Sequence, residues 1–149
     1  MKKITTTLFI LLVAITSSYS QASKSDVIGT WKIDDVIFNR NPFEKIAEQL
    51  PEEQKALVEG MLKSQIDGLK SNSEFTYETD GTYHGKTAAQ PESGTWELTA
   101  DGTKIIHTQK DGSKNEVAVK ALEGDRISFI VKEEIRGESL VMTFVCSKK

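Results

Sequence analysis

From residue 73 to the C-terminus, apolar and polar positions alternate with a period of two. Phe75 and Tyr77 fall on one side of such a run, as do Trp96 and Leu98, then Val117, Val119 and Ala121, then Ile127, Phe129 and Val131, then Leu140, Met142, Phe144 and Cys146. Their neighbours Thr95, Glu97, Glu116, Lys120, Ser128, Lys132 and Thr143 are mostly polar. Successive side chains on an extended strand point to opposite faces, so the alternation predicts strands with one dry face and one wet face. Between the runs stand Asp80-Gly81, Pro91-Glu92-Ser93-Gly94, Asp101-Gly102, Asp111-Gly112, Glu123-Gly124-Asp125 and Arg136-Gly137-Glu138. These sequences suit tight hairpin turns, which demand positive φ at one or two residues.

About seven strands follow residue 73, and the segment from Val27 to Phe38 adds one ahead of them. Eight strands joined by short turns make a meander, and a meander with one apolar face closes into a barrel that has no free edges. The predicted fold is therefore mainly β, an eight-stranded antiparallel up-and-down barrel. A two-sheet sandwich is the alternative, but its Greek-key crossovers need longer connections than most of these turns provide.

The period changes between residues 41 and 70. Asn41, Pro42 and Glu44 read as an N-cap, a proline at the first helical position and a capping-box acid, with Phe43, Ile46, Ala47 and Leu50 on one face. Pro51 opens a second helix with Glu52 and Glu53 in its first turn, where they suit the dipole. Its apolar stripe is Leu57, Val58, Met61, Leu62, Ile66 and Leu69, opposed by Glu59, Lys63 and Asp67 and weakened slightly by Gly60. The pattern predicts a two-helix insertion between the first and second strands, with its stripe packed on the barrel and sealing one end.

At the N-terminus, Lys2 and Lys3 precede a largely apolar run from Ile4 to Ile15 and then Thr16, Ser17, Ser18, Tyr19 and Ser20. That order is that of a secretory signal over residues 1–20. The 12 residues from Ile4 to Ile15 fall short of the roughly 20 apolar residues a bilayer-spanning helix needs. The expected mature chain starts at Gln21, with cleavage after Ala22 as the alternative. The expectation is an exported protein, periplasmic or secreted, with no stable membrane anchor and one domain over residues 21–149. Removing the signal takes two lysines and no acid, so the formal charge falls from −3 to −5. Such a balance offers no basic footprint for nucleic acid. Cys146 is the sole cysteine, which excludes an intramolecular disulfide and leaves it to act as a small buried apolar group.

Three short motifs carry a resemblance. Gly29-Thr30-Trp31 opens the first strand, Asp80-Gly81-Thr82-Tyr83 a middle hairpin, and Gly94-Thr95-Trp96-Glu97-Leu98 the strand after it. Together, over residues 26–147, they resemble the bacterial secreted lipocalin-like domain family of the calycin superfamily. The resemblance implies a lipocalin-like barrel in which Trp31 is a structural plug beneath a basic residue of the last strand, with Lys148 as the counterpart. The helical pair after the first strand is also similar to that of the intracellular fatty-acid-binding proteins. Those proteins hold a fatty acid carboxylate with an Arg-x-Tyr pair near the C-terminus. Leu140 to Lys149 contains neither residue, which disfavours a charged fatty acid held in that manner.

An eight-stranded barrel is just wide enough to fill with side chains or to hold one small ligand. The expected inward, ligand-binding set is Phe75, Tyr77, Tyr83, Trp96, Phe129, Met142 and Phe144, with Phe43, Met61 and Leu62 contributed by the helices. His84 shares parity with Thr82 and Lys86 and points outward if Tyr83 points in; the face of His107 stays open, because Ile105 and Ile106 compete for the core. Neither has a Cys or carboxylate at metal-ligand spacing, so no metal site is expected. Asp34-Asp35 and Glu133-Glu134 are adjacent pairs whose members should face opposite sides of a strand, which rules out a carboxylate dyad. With no Ser-His-acid pattern, phosphate loop or nucleophile elbow, neither an enzyme nor a cofactor is expected. An enzymatic alternative needs a buried titratable group in a cleft, such as His107 beside Tyr77 or Asp35. The functional expectation is a binding protein for a small, mostly apolar molecule. The alternative is a protein-interaction or inhibitor module whose barrel is filled.

Overall fold

A computed structural model describes residues 21–87, 91–135 and 137–149. The signal expected over residues 1–20, and Arg136 of the last turn, lie outside them. Eight strands follow one another: β1 (Gly29–Phe38), β2 (Glu74–Tyr77), β3 (Thr82–Lys86), β4 (Pro91–Leu98), β5 (Lys104–Gln109), β6 (Lys114–Leu122), β7 (Arg126–Ile135) and β8 (Glu138–Lys148). Each pairs antiparallel with its sequence neighbour, and β8 returns to β1 to close the barrel. The turns that make this meander are fastened by side chains as well as backbone. Asp80 Oδ1 accepts the Thr82 N–H at 2.8 Å and Asp111 Oδ1 accepts the Ser113 N–H at 2.9 Å, the Asx-turn chemistry that makes aspartate a turn residue.

One end of the barrel is tightly packed. A helical turn absent from the sequence-based expectation, α1 (Lys24–Val27), lies ahead of β1 and is held by a complete capping box from Ser23 and Asp26. The Ala22 N–H donates to the Gly102 carbonyl at 3.0 Å, and Val27 is fully enclosed. Trp31 sits above this turn, 2% exposed, and its indole Nε1–H donates to the Val27 carbonyl at 2.7 Å. Lys148 Nζ stands 5.3 Å from the centre of the Trp31 ring, within cation–π range. Its stem crosses the backbone at Gly29, where a Cβ would collide with Lys148 Cε. Trp96 repeats the arrangement: its Nε1–H donates to the Glu78 carbonyl at 3.1 Å, and Lys24 Nζ lies 5.5 Å from its ring. Ile33, Ile105, Ile127 and Cys146 complete this floor.

The opposite end is uneven. β7, β8 and β1 are 10, 11 and 10 residues long, whereas β2 and β3 have only 4 and 5. β1 pairs with β2 only from Gly29 to Lys32, and its remainder to Phe38 has β8 alone as a strand partner. The helical insertion bridges this gap. Its first helix is short, α2 (Glu44–Ala47), with the Asn41 carboxamide accepting the Phe43 N–H at 2.9 Å; the second, α3 (Glu52–Asn72), runs for 21 residues.

The expected packing of the α3 stripe is corrected. α3 contains no buried residue, and Leu57 and Met61 are 64% and 57% exposed. A 21-residue helix is about 30 Å long. Only its returning half, through Ile66, packs on the core, while Leu57 and Met61 in the half nearer α2 do not. Trp31→Ala should cost about 3–5 kcal/mol, the range for a fully buried aromatic truncated in a packed site. Urea denaturation of wild type and variant checks it, and Leu57→Ala, on the exposed helix, should move the midpoint far less.

Candidate functional site

The register brings the sequence-predicted aromatics onto the inner wall. Tyr77 pairs with Tyr83, Tyr83 with Gly94 and Gly94 with Gln109 in one row across four strands, while Trp96 pairs with His107. Gly94 is required in that row. A Cβ there would run into the Thr108 carbonyl and lie 2.9 Å from Tyr83 Cε1, so the missing side chain lets the Tyr83 ring lie against β4.

On β5 the buried residue is Ile105, which settles the face of its neighbours: Ile105, His107 and Gln109 share the inward parity. His107, whose face the sequence left open, joins the aromatic cluster. Its Nε2 lies 3.0 Å from the Tyr77 hydroxyl, and its ring stacks on Tyr77 at 5.7 Å and meets Tyr83 at a tilt, 4.5 Å between ring centres. Phe129, from the far wall, approaches Tyr77 at 5.8 Å and Phe75 at 6.4 Å, and Trp96 meets Tyr77 edge-on at 5.3 Å.

Burial sets the protonation of this group. Desolvation lowers the His107 pKa to about 4. The Tyr77 hydroxyl is pushed up, first by burial and then by the charges of Cys146, Tyr83 and Glu92; Tyr83 is raised by burial and by Glu92. Both phenols therefore keep their protons and the imidazole is neutral at pH 7. In the arrangement this allows, the Tyr77 O–H donates to Nε2 and the remaining imidazole proton sits on Nδ1.

The other sequence-predicted residues divide by height. Tyr77, Tyr83, Trp96 and Phe129 are buried, with Trp96 belonging to the packed floor. Phe75 and Phe144 are partly buried against the core, Met142, Leu62 and Phe43 are half-buried, and Met61 is exposed. Phe38, which the sequence reading did not select, is half-buried on the inner side of the tall wall opposite Met142. Its signal was the parity of β1, obscured by a bulge between Ile33 and Asp35. That bulge also corrects the expectation for Asp34 and Asp35. The extra residue places both on the exposed side, and the Ser147 hydroxyl donates to Asp34 Oδ1 at 3.0 Å. Glu133 and Glu134 are both exposed near the rim of the tall wall.

His84 is exposed, in a row with Thr76 and Ser93, and lines an open outer groove of about 660 Å³ with Lys86, Glu92 and Lys110 among its walls. A second groove of about 410 Å³ adjoins it and shares Pro91, Glu92, Ser93 and Lys110. The two histidines thus sit on opposite faces of the wall. Among the described residues no three His, Cys, Asp or Glu side chains are grouped to hold a metal ion. No helix of the described residues is long and apolar enough to cross a membrane. Cys146 is fully enclosed, and burial pushes its thiol up to about 12.

The closed barrel of eight antiparallel strands in sequence order, with a tryptophan in its floor, is an up-and-down barrel. No protein-family model matches the chain, and no curated protein matches it. Two chains of known structure match. One is the crystal structure of a DUF4847 family protein from Bacteroides vulgatus ATCC 8482, 13% identical, with 79% of this chain and 92% of that chain covered and a TM-score of 0.41. The fold described above rests on the strand pairing, not on that likeness.

The depressed pKa of His107 has a stability consequence. Below its ordinary value of about 6.5 the unfolded chain takes up a proton that the folded protein refuses until about pH 4. Stability contributed above pH 6.5 is therefore lost as the pH falls through this window, with a slope of at most about 1.4 kcal/mol per pH unit. Hydrogen bonds hold the carboxyls of Asp26, Asp80, Asp101 and Asp111 below the ordinary carboxylate range, so their losses come at lower pH. Urea midpoints between about pH 7 and pH 4.5 should fall less steeply in His107→Leu than in wild type.

Proposed function

We propose that the protein is an exported lipocalin-like carrier that binds one small, mostly apolar molecule between α3 and the tall wall of the barrel. The observation that supports this reading is the mismatch in wall height. Phe38, Met142 and Phe144 face inward on β1 and β8 above the short β2 and β3, are only half-buried, and are spanned by a helix that buries none of its own residues. A sealed floor with a half-buried apolar shelf above it suits a ligand site, since such sites are mostly apolar. Burying about ten CH₂ groups releases roughly 8 kcal/mol, against at least about 4 kcal/mol lost on association. Millimolar to micromolar affinity then follows from apolar burial alone.

The reading is a carrier and not an enzyme: the hydrogen-bonded pair of Tyr77 and His107 is joined by no nucleophile among the described residues, and Cys146 is enclosed in the floor with a raised pKa. For export, the docking of Ala22 on Gly102 supports removal of residues 1–20 over a cut after Ala22, which would discard an interior residue. The intact mass of protein recovered from the exported fraction should correspond to a chain beginning at Gln21.

Titration with N-phenyl-1-naphthylamine, whose fluorescence rises in apolar surroundings, tests the carrier reading. Wild type should bind saturably, and Phe144→Ala and Phe38→Ala should each weaken binding about tenfold, the ratio given by roughly 1.4 kcal/mol of lost contact. Folding of each variant is checked by circular dichroism. No uptake by folded wild type would remove this reading. It would favour the second one, an interaction module presenting Leu57 and Met61, whose exposure on α3 suits a protein contact.

A further inference from the structure

The Tyr77 and His107 pair is conspicuous because an interior of this kind is cheaper to build from hydrocarbon. Burying a polar group costs free energy unless its hydrogen bonds are replaced, and a Leu or Phe at position 107 would avoid the cost. Here one side of the imidazole is satisfied: Nε2 meets the Tyr77 hydroxyl at 3.0 Å. Nδ1 has no partner among the described residues. Nor is it sealed off, because Ser73 Oγ is the buried side-chain atom without a partner among them, and His107 itself is only half-buried. One polar edge of the ring is thus left open on the barrel's inner wall, beside the ring of Tyr83 and on the same inward face of β5 as Gln109.

We propose that His107, oriented by Tyr77, is the polar anchor of the barrel, donating from Nδ1 to an uncharged carbonyl or hydroxyl oxygen on an otherwise apolar ligand. The proposal rests on the carrier reading above. The surroundings decide the charge of the head group. Two lysines are committed to the floor, Lys24 over Trp96 and Lys148 over Trp31. The carboxylate of Glu92 raises both tyrosines, and Cys146 adds to its effect on Tyr77. A neutral imidazole with an anion nearby offers a carboxylate head no compensation for the water it would lose. A ketone or alcohol gives up much less and accepts the same hydrogen bond. The orienting role falls to Tyr77: an O–H donated to Nε2 leaves the free imidazole proton on Nδ1.

Three naphthalenes of nearly one shape test the anchor by displacement of N-phenyl-1-naphthylamine at about pH 7.5, where His107 is neutral. They are 2-acetylnaphthalene, with a neutral carbonyl; 2-ethylnaphthalene, with no acceptor; and 2-naphthoate, with a charge. The ratio of acetyl to ethyl affinity should fall about tenfold in His107→Leu while ethyl binding holds, the loss expected for one hydrogen bond. Tyr77→Phe should lower the ratio by less. A readout that needs no variant is the carbonyl stretch of bound 2-acetylnaphthalene in wild type, which should move to lower frequency than in hexane. If both neutral compounds bind but the ratio is the same in His107→Leu and the carbonyl stretch is unshifted, the anchor is wrong and the carrier reading stands. Tightest binding by 2-naphthoate would overturn the neutral head group. If neither the fluorescent probe nor any naphthalene binds, the carrier reading fails and the anchor fails with it.

Discussion

β1 closes the barrel on both sides, yet it reaches β2 over only four residue pairs while following β8 to its end. Everything distinctive about the molecule follows from that mismatch. Where β1 has both neighbours, its inward residues Trp31 and Ile33 are sealed, and Val27, Ile105, Ile127 and Cys146 pack around them with almost no exposure. Where it has β8 alone, the inward side chains of two long strands stand above two short ones. A sheet cannot leave such an apolar shelf bare, and the insertion of α2 and α3 at this point in the chain supplies the cover.

The two ends of the barrel are thereby given different work. The floor is held by directional contacts: two indole N–H groups donating to backbone carbonyls, each ring with a lysine ammonium against it, and a capped helical turn fastened to the neighbouring hairpin. These are contacts that lose their value if displaced by an ångström, which suits a region meant to be invariant. The mouth is held by less specific apolar contact under a helix that buries nothing of its own. Regions with few buried contacts open at low cost, which suits an entrance. The aromatic layer of Tyr77, Tyr83, Phe129 and His107 lies between these regimes and brings the Tyr77 hydroxyl and the His107 imidazole onto the inner wall.

Much of this was legible in the chain. Period-two alternation with Asp-Gly turns is produced by the same pleat and turn geometry that make a meander, so the strand order and the closed barrel followed from it, as did the helical insertion. Three things did not. The turn at Lys24–Val27 is shorter than any periodicity can reveal, and its capping box opens no apolar run. The bulge in β1 shifted parity by one, so Phe38 went unselected and Asp34 and Asp35 were placed on opposite faces. The face of His107 depended on which of two adjacent isoleucines entered the core, and pairing with β4 and β6, not local sequence, decides that. The helix stripe was visible, but whether it would be buried depended on the unequal strand lengths of the wall beneath it.

Native mass spectrometry of the protein, purified gently from the cells that make it and compared with the same sample after denaturation, addresses the central claim most directly. A carrier with a half-open apolar mouth should keep part of its cargo through purification. The native spectrum should then show the polypeptide plus one small added mass, a neutral and mostly apolar compound that is lost on unfolding. A bare polypeptide mass in the native state, unchanged after the folded protein is incubated with apolar small molecules, would contradict the claim and leave the barrel a filled scaffold.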